Sequence, residues 1–166
     1  MIRYIQAFTL VLIACCSLQA MAQGEARISP LTPVDRQFMQ QQRDLLLDLV
    51  ERNYGRVLKR EKDNDLELIQ RLLDDQLVRN DQPRELQAMG VVMGDLLAQD
   101  LGLHWVIYED SLGRSRALRY QESDDYLFPV TMISRRREVD NRTPVAEIYQ
   151  KATEAIAPAI PPKPFQ

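Results

Sequence analysis

Residues 84–108 read RELQAMGVVMGDLLAQDLGLHWVIY, and within this stretch the hydrophobic period changes from that of a helix to that of a strand. Leu86, Met89, Met93, Leu97 and Leu101 recur at spacings of three and four, while Val91, Val92 and Leu96 are apolar on another side. A helix apolar over so much of its circumference belongs at the centre of a fold, so a central helix is expected from Arg84 to Leu101. After Gly102, Trp105 to Tyr108 carry β-favouring side chains, Ser111 to Gly113 make a turn, and Ala117 to Tyr120 return as the antiparallel partner. A helical layer followed by a hairpin places the chain in the α+β class.

Upstream, Thr32 is placed to cap a helix with Pro33 in its first turn and Asp35 three residues after the cap. Phe38, Leu45, Leu46, Leu49 and Val50 fall mainly on one face of that helix, and Gly55 is its expected stop. A charged connector, Lys59 to Asn64, leads to a second helix capped by Asp63 or Asn64. Its stripe of Leu66, Ile69, Leu73 and Leu77 should end near Asn80. Downstream, Pro129 confines any strand over Leu127 to Ile133 to an edge, or ends it. Thr143 is expected to cap a last helix from Pro144 that turns Val145, Ile148, Tyr149 and Ala152 inward. The expected architecture is a single α+β domain over residues 32–156, three to four helices packed on a small antiparallel β-sheet. With 166 residues, 45 % of them hydrophobic and 27 % charged, the chain has the composition of one such globular domain.

The first residues read as an export signal. Arg3 precedes an uncharged, largely apolar run from Ala7 to Leu18, and Ala20, Met21 and Ala22 form an A-x-A pattern that places cleavage between Ala22 and Gln23. The run is shorter than the ~20 residues that span a bilayer. Leu12, Ile13, Ala14 and Cys15 also match the bacterial lipobox, so the alternative to a periplasmic or secreted protein is a lipoprotein anchored through Cys15. Both cysteines, Cys15 and Cys16, lie in residues 1–22, and a chain beginning at Gln23 has no disulfide. Residues 23–31 read as a flexible leader. Residues 157–166, with Pro158, Pro161, Pro162 and Pro164, read as an extended or disordered tail.

A formal charge of −3 gives no electrostatic reason to expect nucleic acid. One histidine and two cysteines exclude a zinc site of several His and Cys ligands, and neither metal nor cofactor is expected. Asp63, Asp65 and Glu67 resemble the start of a calcium loop, but its sixth and twelfth positions hold Leu68 and Asp74. His104 has no nucleophile or orienting partner identifiable from the chain, and G-x-S-x-G, phosphate-loop and H-E-x-x-H patterns do not occur. Gly90 and Gly94 are expected to let another element pack close to the central helix. Arg135, Arg136 and Arg137 are the densest basic run: either an anion site or the charged defence of a solvated edge strand.

Several segments together resemble the bacterial domain-of-unknown-function (DUF) family numbered 3806. They are Asp65-Leu66 with Ile69-Gln70 and Leu73-Asp74; Glu85 to Gly90 continuing to Gly94-Asp95; Gly102-Leu103 with Trp105-Val106; Asp110 with Gly113-Arg114; and Phe128-Pro129 with Met132 to Arg136. The Arg135-Arg136 pair stands where that family suggests Lys-Arg. The resemblance implies an exported bacterial α+β protein with no assigned activity. It also implies that Glu85, Asp95, Trp105 and Arg135 belong to the domain's framework, with Arg136 beside them, as a buried ion pair or the lining of a binding cleft. The expected function is a non-enzymatic binding or interaction module of the envelope, its partner an unknown protein or small ligand. The alternatives are a hydrolase using Asp95, Glu85 or His104, and an inhibitor or immunity-type protein.

Overall fold

Thr32 decides where the first long helix begins. Its side chain accepts from the Asp35 N–H at 3.2 Å, and the Asp35 carboxylate accepts in return from the Thr32 N–H at 3.0 Å, so two otherwise free donors are satisfied. Helix α1 (Pro33–Tyr54) follows and is stopped by Gly55, whose φ of 61° is the left-handed conformation glycine tolerates best. The structure, a computed structural model, describes residues 26–162. The expected signal at 1–22, the Ala22–Gln23 cleavage point and Cys15 lie outside the described residues.

Helix α2 (Lys62–Asp74) starts slightly earlier than expected, with Glu61 at its cap position. Asp65, in the first turn of this helix, is buried and accepts from the backbone N–H groups of Lys59 and Arg60, both at 2.9 Å. It closes the connector onto the helix. The helix ends at Asp74 rather than near Asn80, because the chain turns left-handed at Gln76. Leu77 therefore leaves the stripe and is exposed, and Val78 is buried instead. Helix α3 (Pro83–Leu101) is the central helix, buried from Ala88 through Gly94.

Four strands form one antiparallel sheet in chain order: β1 (Arg27–Pro30), β2 (His104–Asp110), β3 (Gly113–Arg119) and β4 (Tyr126–Leu127). The leader expected over 23–31 is thus corrected within the described residues. Arg27 to Pro30 pair with Glu109 to Val106, and backbone ladder bonds compensate for the poverty of apolar side chains. Strand β4 pairs only with Leu118 and Arg119, because Pro129 opens the short helix α4 (Pro129–Met132). The basic run lies in helix α5 (Ser134–Glu138), so the edge-strand reading of Arg135–Arg137 is overturned. Helix α6 (Val145–Ile156) begins one residue late: Thr143 turns its hydroxyl to Asn141, and the Val145 N–H is satisfied by the Gln70 side chain of α2 at 2.8 Å. Ala157–Ala159 form a 3₁₀ turn with Ile160 packed partly on the core, so the start of the expected tail is ordered.

Helices α1 and α3 pack along one another, and α2 and α6 pack against each other and against α3. Leu46, Met89, Met93, Leu97, Leu118 and Ile148 belong to one continuous core joining helices to sheet. A Cβ at Gly90 would lie 2.5 Å from the Pro129 carbonyl oxygen and one at Gly94 would lie 2.5 Å from the Trp105 ring. Their missing side chains are what allow α4 and Trp105 to approach α3.

Candidate functional site

The capping carboxylate of α1 also organises a groove. Asp35 is 1 % exposed, yet it accepts two bonds from the Arg114 guanidinium, at 2.9 and 2.6 Å, and lies 2.9 Å from the Arg116 guanidinium. The hydrogen bonds from Arg114 are the main cause that holds its carboxyl well below the usual range; burial opposes this, and the Thr32 bonds add to it. The same bonds push the Arg114 guanidinium further toward its charged form. Arg116 also stacks 4.0 Å above the Phe38 ring.

Phe38, Arg114 and Arg116 line one wall of a cavity of about 520 Å³. Strand β3 supplies Gly113 to Arg116, and across from it stand Phe128, Val130 and Thr131, at and after the end of β4, and Arg135 of α5. Phe128 meets Tyr108 edge-on at 5.4 Å. The charge balance favours an anion. Asp110, also in the lining, is occupied by the turn N–H groups of Leu112 and Gly113, and Asp35 is buried beneath two arginines. Arg116 Nε is buried with no partner, and Arg135 is exposed with no ion-pair partner among the described residues. A second depression is lined by Arg79, Arg137 and Arg142, with Arg79 and Arg142 each paired with a carboxylate of its own, Asp81 and Asp140.

The five residues singled out by sequence do not meet at one point. Asp95 and Trp105 do come together: Trp105 Nε1–H donates to Asp95 at 3.0 Å, and Arg43 of α1 grips the same carboxylate with two bonds of 2.6 and 2.9 Å. Arg135 lines the groove. Arg136 turns away and donates to the Met132 carbonyl at 2.6 Å, where a cation suits the end of α4. Glu85 is half-buried on α3 and makes no side-chain hydrogen bond among the described residues. His104 is exposed at the start of β2. Among the described residues, no three His, Cys, Asp or Glu side chains stand close enough to hold a metal, and no helix is long and apolar enough to cross a membrane.

Sequence reasoning missed Asp35, Arg43, Arg114 and Arg116 as site residues. Arg114 and Arg116 carried a readable signal, two arginines alternating on one face of a strand. Their carboxylate partner, 79 residues from Arg114, carried none.

Fold and groove together define a single α+β domain with an arginine-lined cleft between its sheet edge and a pair of short helices. The family model described as "Domain of unknown function (DUF3806)" matches residues 65–149, and the chain belongs to that family. The matched segment contains Arg114, Arg116 and Arg135; Asp35 and Phe38 lie before it. No curated protein matches the chain. A crystal structure from Bacteroides thetaiotaomicron VPI-5482 is similar in fold, with a TM-score of 0.70 at 19 % identity, over 78 % of this chain and 47 % of that one. This chain thus spans about half the length of that protein.

Proposed function

We propose that the chain is an exported bacterial envelope protein acting as a non-enzymatic binding module, whose ligand presents an anionic group to the arginine groove. It is periplasmic once residues 1–22 are removed, or membrane-tethered where Cys15 is acylated. The observation that carries the binding site is the surplus of guanidinium: Arg114 and Arg116 share the single carboxylate of Asp35, while Arg135 faces the same cavity unpaired among the described residues. Guanidinium forks held in advance match the planar geometry of carboxylate and the oxygens of phosphate. They stay protonated at any physiological pH, which suits them to holding charge rather than transferring protons.

Calorimetric titration of the exported chain with short dicarboxylates and with inorganic phosphate tests the site. Binding should saturate, weaken as salt is added, and fall about tenfold or more in Arg135→Glu. Absence of binding by either anion, or binding indifferent to that substitution, overturns the site. Intact mass tests the location: a species starting at Gln23 is the processed form, an acylated species starting at Cys15 is the anchored one, and a cytoplasmic species retaining residues 1–22 refutes export.

A further inference from the structure

The groove has a backbone as well as a charge. Strand β3 runs over Gly113–Arg119, but its outer neighbour β4 pairs only with Leu118 and Arg119. Where β4 would continue beside Ala117 and Arg116, the chain leaves the sheet at Phe128 and Pro129 for α4. The outer edge of Gly113–Ala117 is therefore left without a strand, and the cavity runs along it, lined by Gly113, Arg114, Ser115 and Arg116 in succession. Four successive residues of a strand point alternately to its two faces, so a cavity touching all four wraps the edge itself. Unpaired ladder groups in such an edge are a template for another strand.

We infer that the free edge of β3 takes an extended acidic peptide as an added strand. The inference rests on the anion-groove reading and names its ligand. The two faces of the edge dictate the side-chain pattern. Arg114 and Arg116 point to the α1 side, where Asp35 and Phe38 hold them. Ser115 lies on the other face, opposite Tyr108, which packs against Phe128. A strand laid along this edge presents every second side chain to the arginines and the alternate ones to the Tyr108–Phe128 surface. The ligand is therefore an extended segment in which Asp or Glu alternates with apolar residues. Four residues of edge, at ~3.3 Å each, engage a core of about four peptide residues. Arg135, reaching in from α5, meets the acids from the opposite wall. Charge complementarity selects the occupant: Arg114 and Arg116 share the single carboxylate of Asp35 and Arg135 has no ion-pair partner among the described residues, so a neutral strand would leave the groove's positive charge unmatched.

The test uses a fluorescently labelled hexapeptide alternating Glu and Val, its block isomer with three Glu followed by three Val, and two N-methylated forms of the alternating peptide, one for each set of alternate residues. Anisotropy with the exported chain should show saturable binding of the alternating peptide, and binding about tenfold or more weaker for the block isomer. One N-methylated form should lose binding to a similar extent while the other retains it, because only every second amide of an added strand faces the edge. Arg135→Glu, at an exposed position that leaves the circular dichroism spectrum unchanged, should also weaken the alternating peptide about tenfold or more. Equal binding of both N-methylated forms overturns strand addition; if Arg135→Glu still weakens it, the anion groove stands. Binding of phosphate or dicarboxylate without binding of any peptide has the same meaning. Binding of neither peptide nor small anion removes both. A concentration-dependent dimer that excludes the peptide assigns the edge to a second copy of the chain and overturns the proposal.

Discussion

Asp35 has two functions in one carboxylate: it caps α1 through Thr32 and anchors Arg114 and Arg116 on the far strand. The first was legible in the sequence because cap chemistry is local, with Thr32, Pro33 and Asp35 at fixed offsets. The second was not, since nothing in a linear chain relates Asp35 to strand β3 before the fold brings them together. Its depressed pKa has a definite sign for stability. Folding lowers the carboxyl below its unfolded value of about 4, so the native state binds fewer protons there; the contribution is complete above about pH 4 and is lost as pH falls toward the folded value. Asp35→Asn should cost about 3 kcal/mol at neutral pH, since it leaves Arg114 and Arg116 without their buried counter-charge. The variant should also lose less stability than the wild type between pH 5 and pH 2, within a range of about three pH units around the ordinary carboxyl value. Urea midpoints across that range measure it, and parallel acid profiles for the two proteins would refute the assignment.

At the scale of elements, periodicity located α1, α3 and the hairpin, because in each the burial pattern is carried by neighbouring residues. It failed for α5, where three successive arginines have no period and a strand or a short helix fits equally. There the preceding turn decides: Pro129 supplies a helix start, and Arg136 bonds back to the Met132 carbonyl. The contact between α3 and α4 depends on Gly90, and a methyl group there would press on the carbonyl oxygens of both Pro129 and Val130, at 2.5 and 2.6 Å. These are backbone atoms, which cannot swing aside as a side chain would. Gly90→Ala should therefore lower stability by about 2 kcal/mol despite alanine's better helix propensity, which alone would add about 1 kcal/mol. Chemical denaturation measures the difference; a variant as stable as the wild type would show that α4 can move away without cost. The consequence reaches the groove, because α4 carries part of its wall opposite β3.

Across the whole molecule, Asp95 ties three elements together: Arg43 reaches it from α1, Trp105 from β2, and the carboxylate itself stands on α3. Family resemblance singled out Asp95 and Trp105, but Arg43, 52 residues before Asp95, could be added only from the fold. The arrangement joins the helical layer to the sheet at an edge of the continuous core, so it should respond to global unfolding rather than to local fraying. Trp105 is the single tryptophan of the chain and reports on that junction directly. Its fluorescence and the far-ultraviolet circular dichroism should therefore show the same thermal midpoint in the wild type. Asp95→Ala and Arg43→Ala should each lower both midpoints together, and the double variant should fall short of the sum by a coupling of about 1 kcal/mol, as for a partly exposed, doubly hydrogen-bonded pair. A shift of the fluorescence midpoint alone would instead make the junction a local contact, with sheet and helices unfolding as separate units. Strict additivity would show that Arg43 and Asp95 stabilise their own elements without joining them.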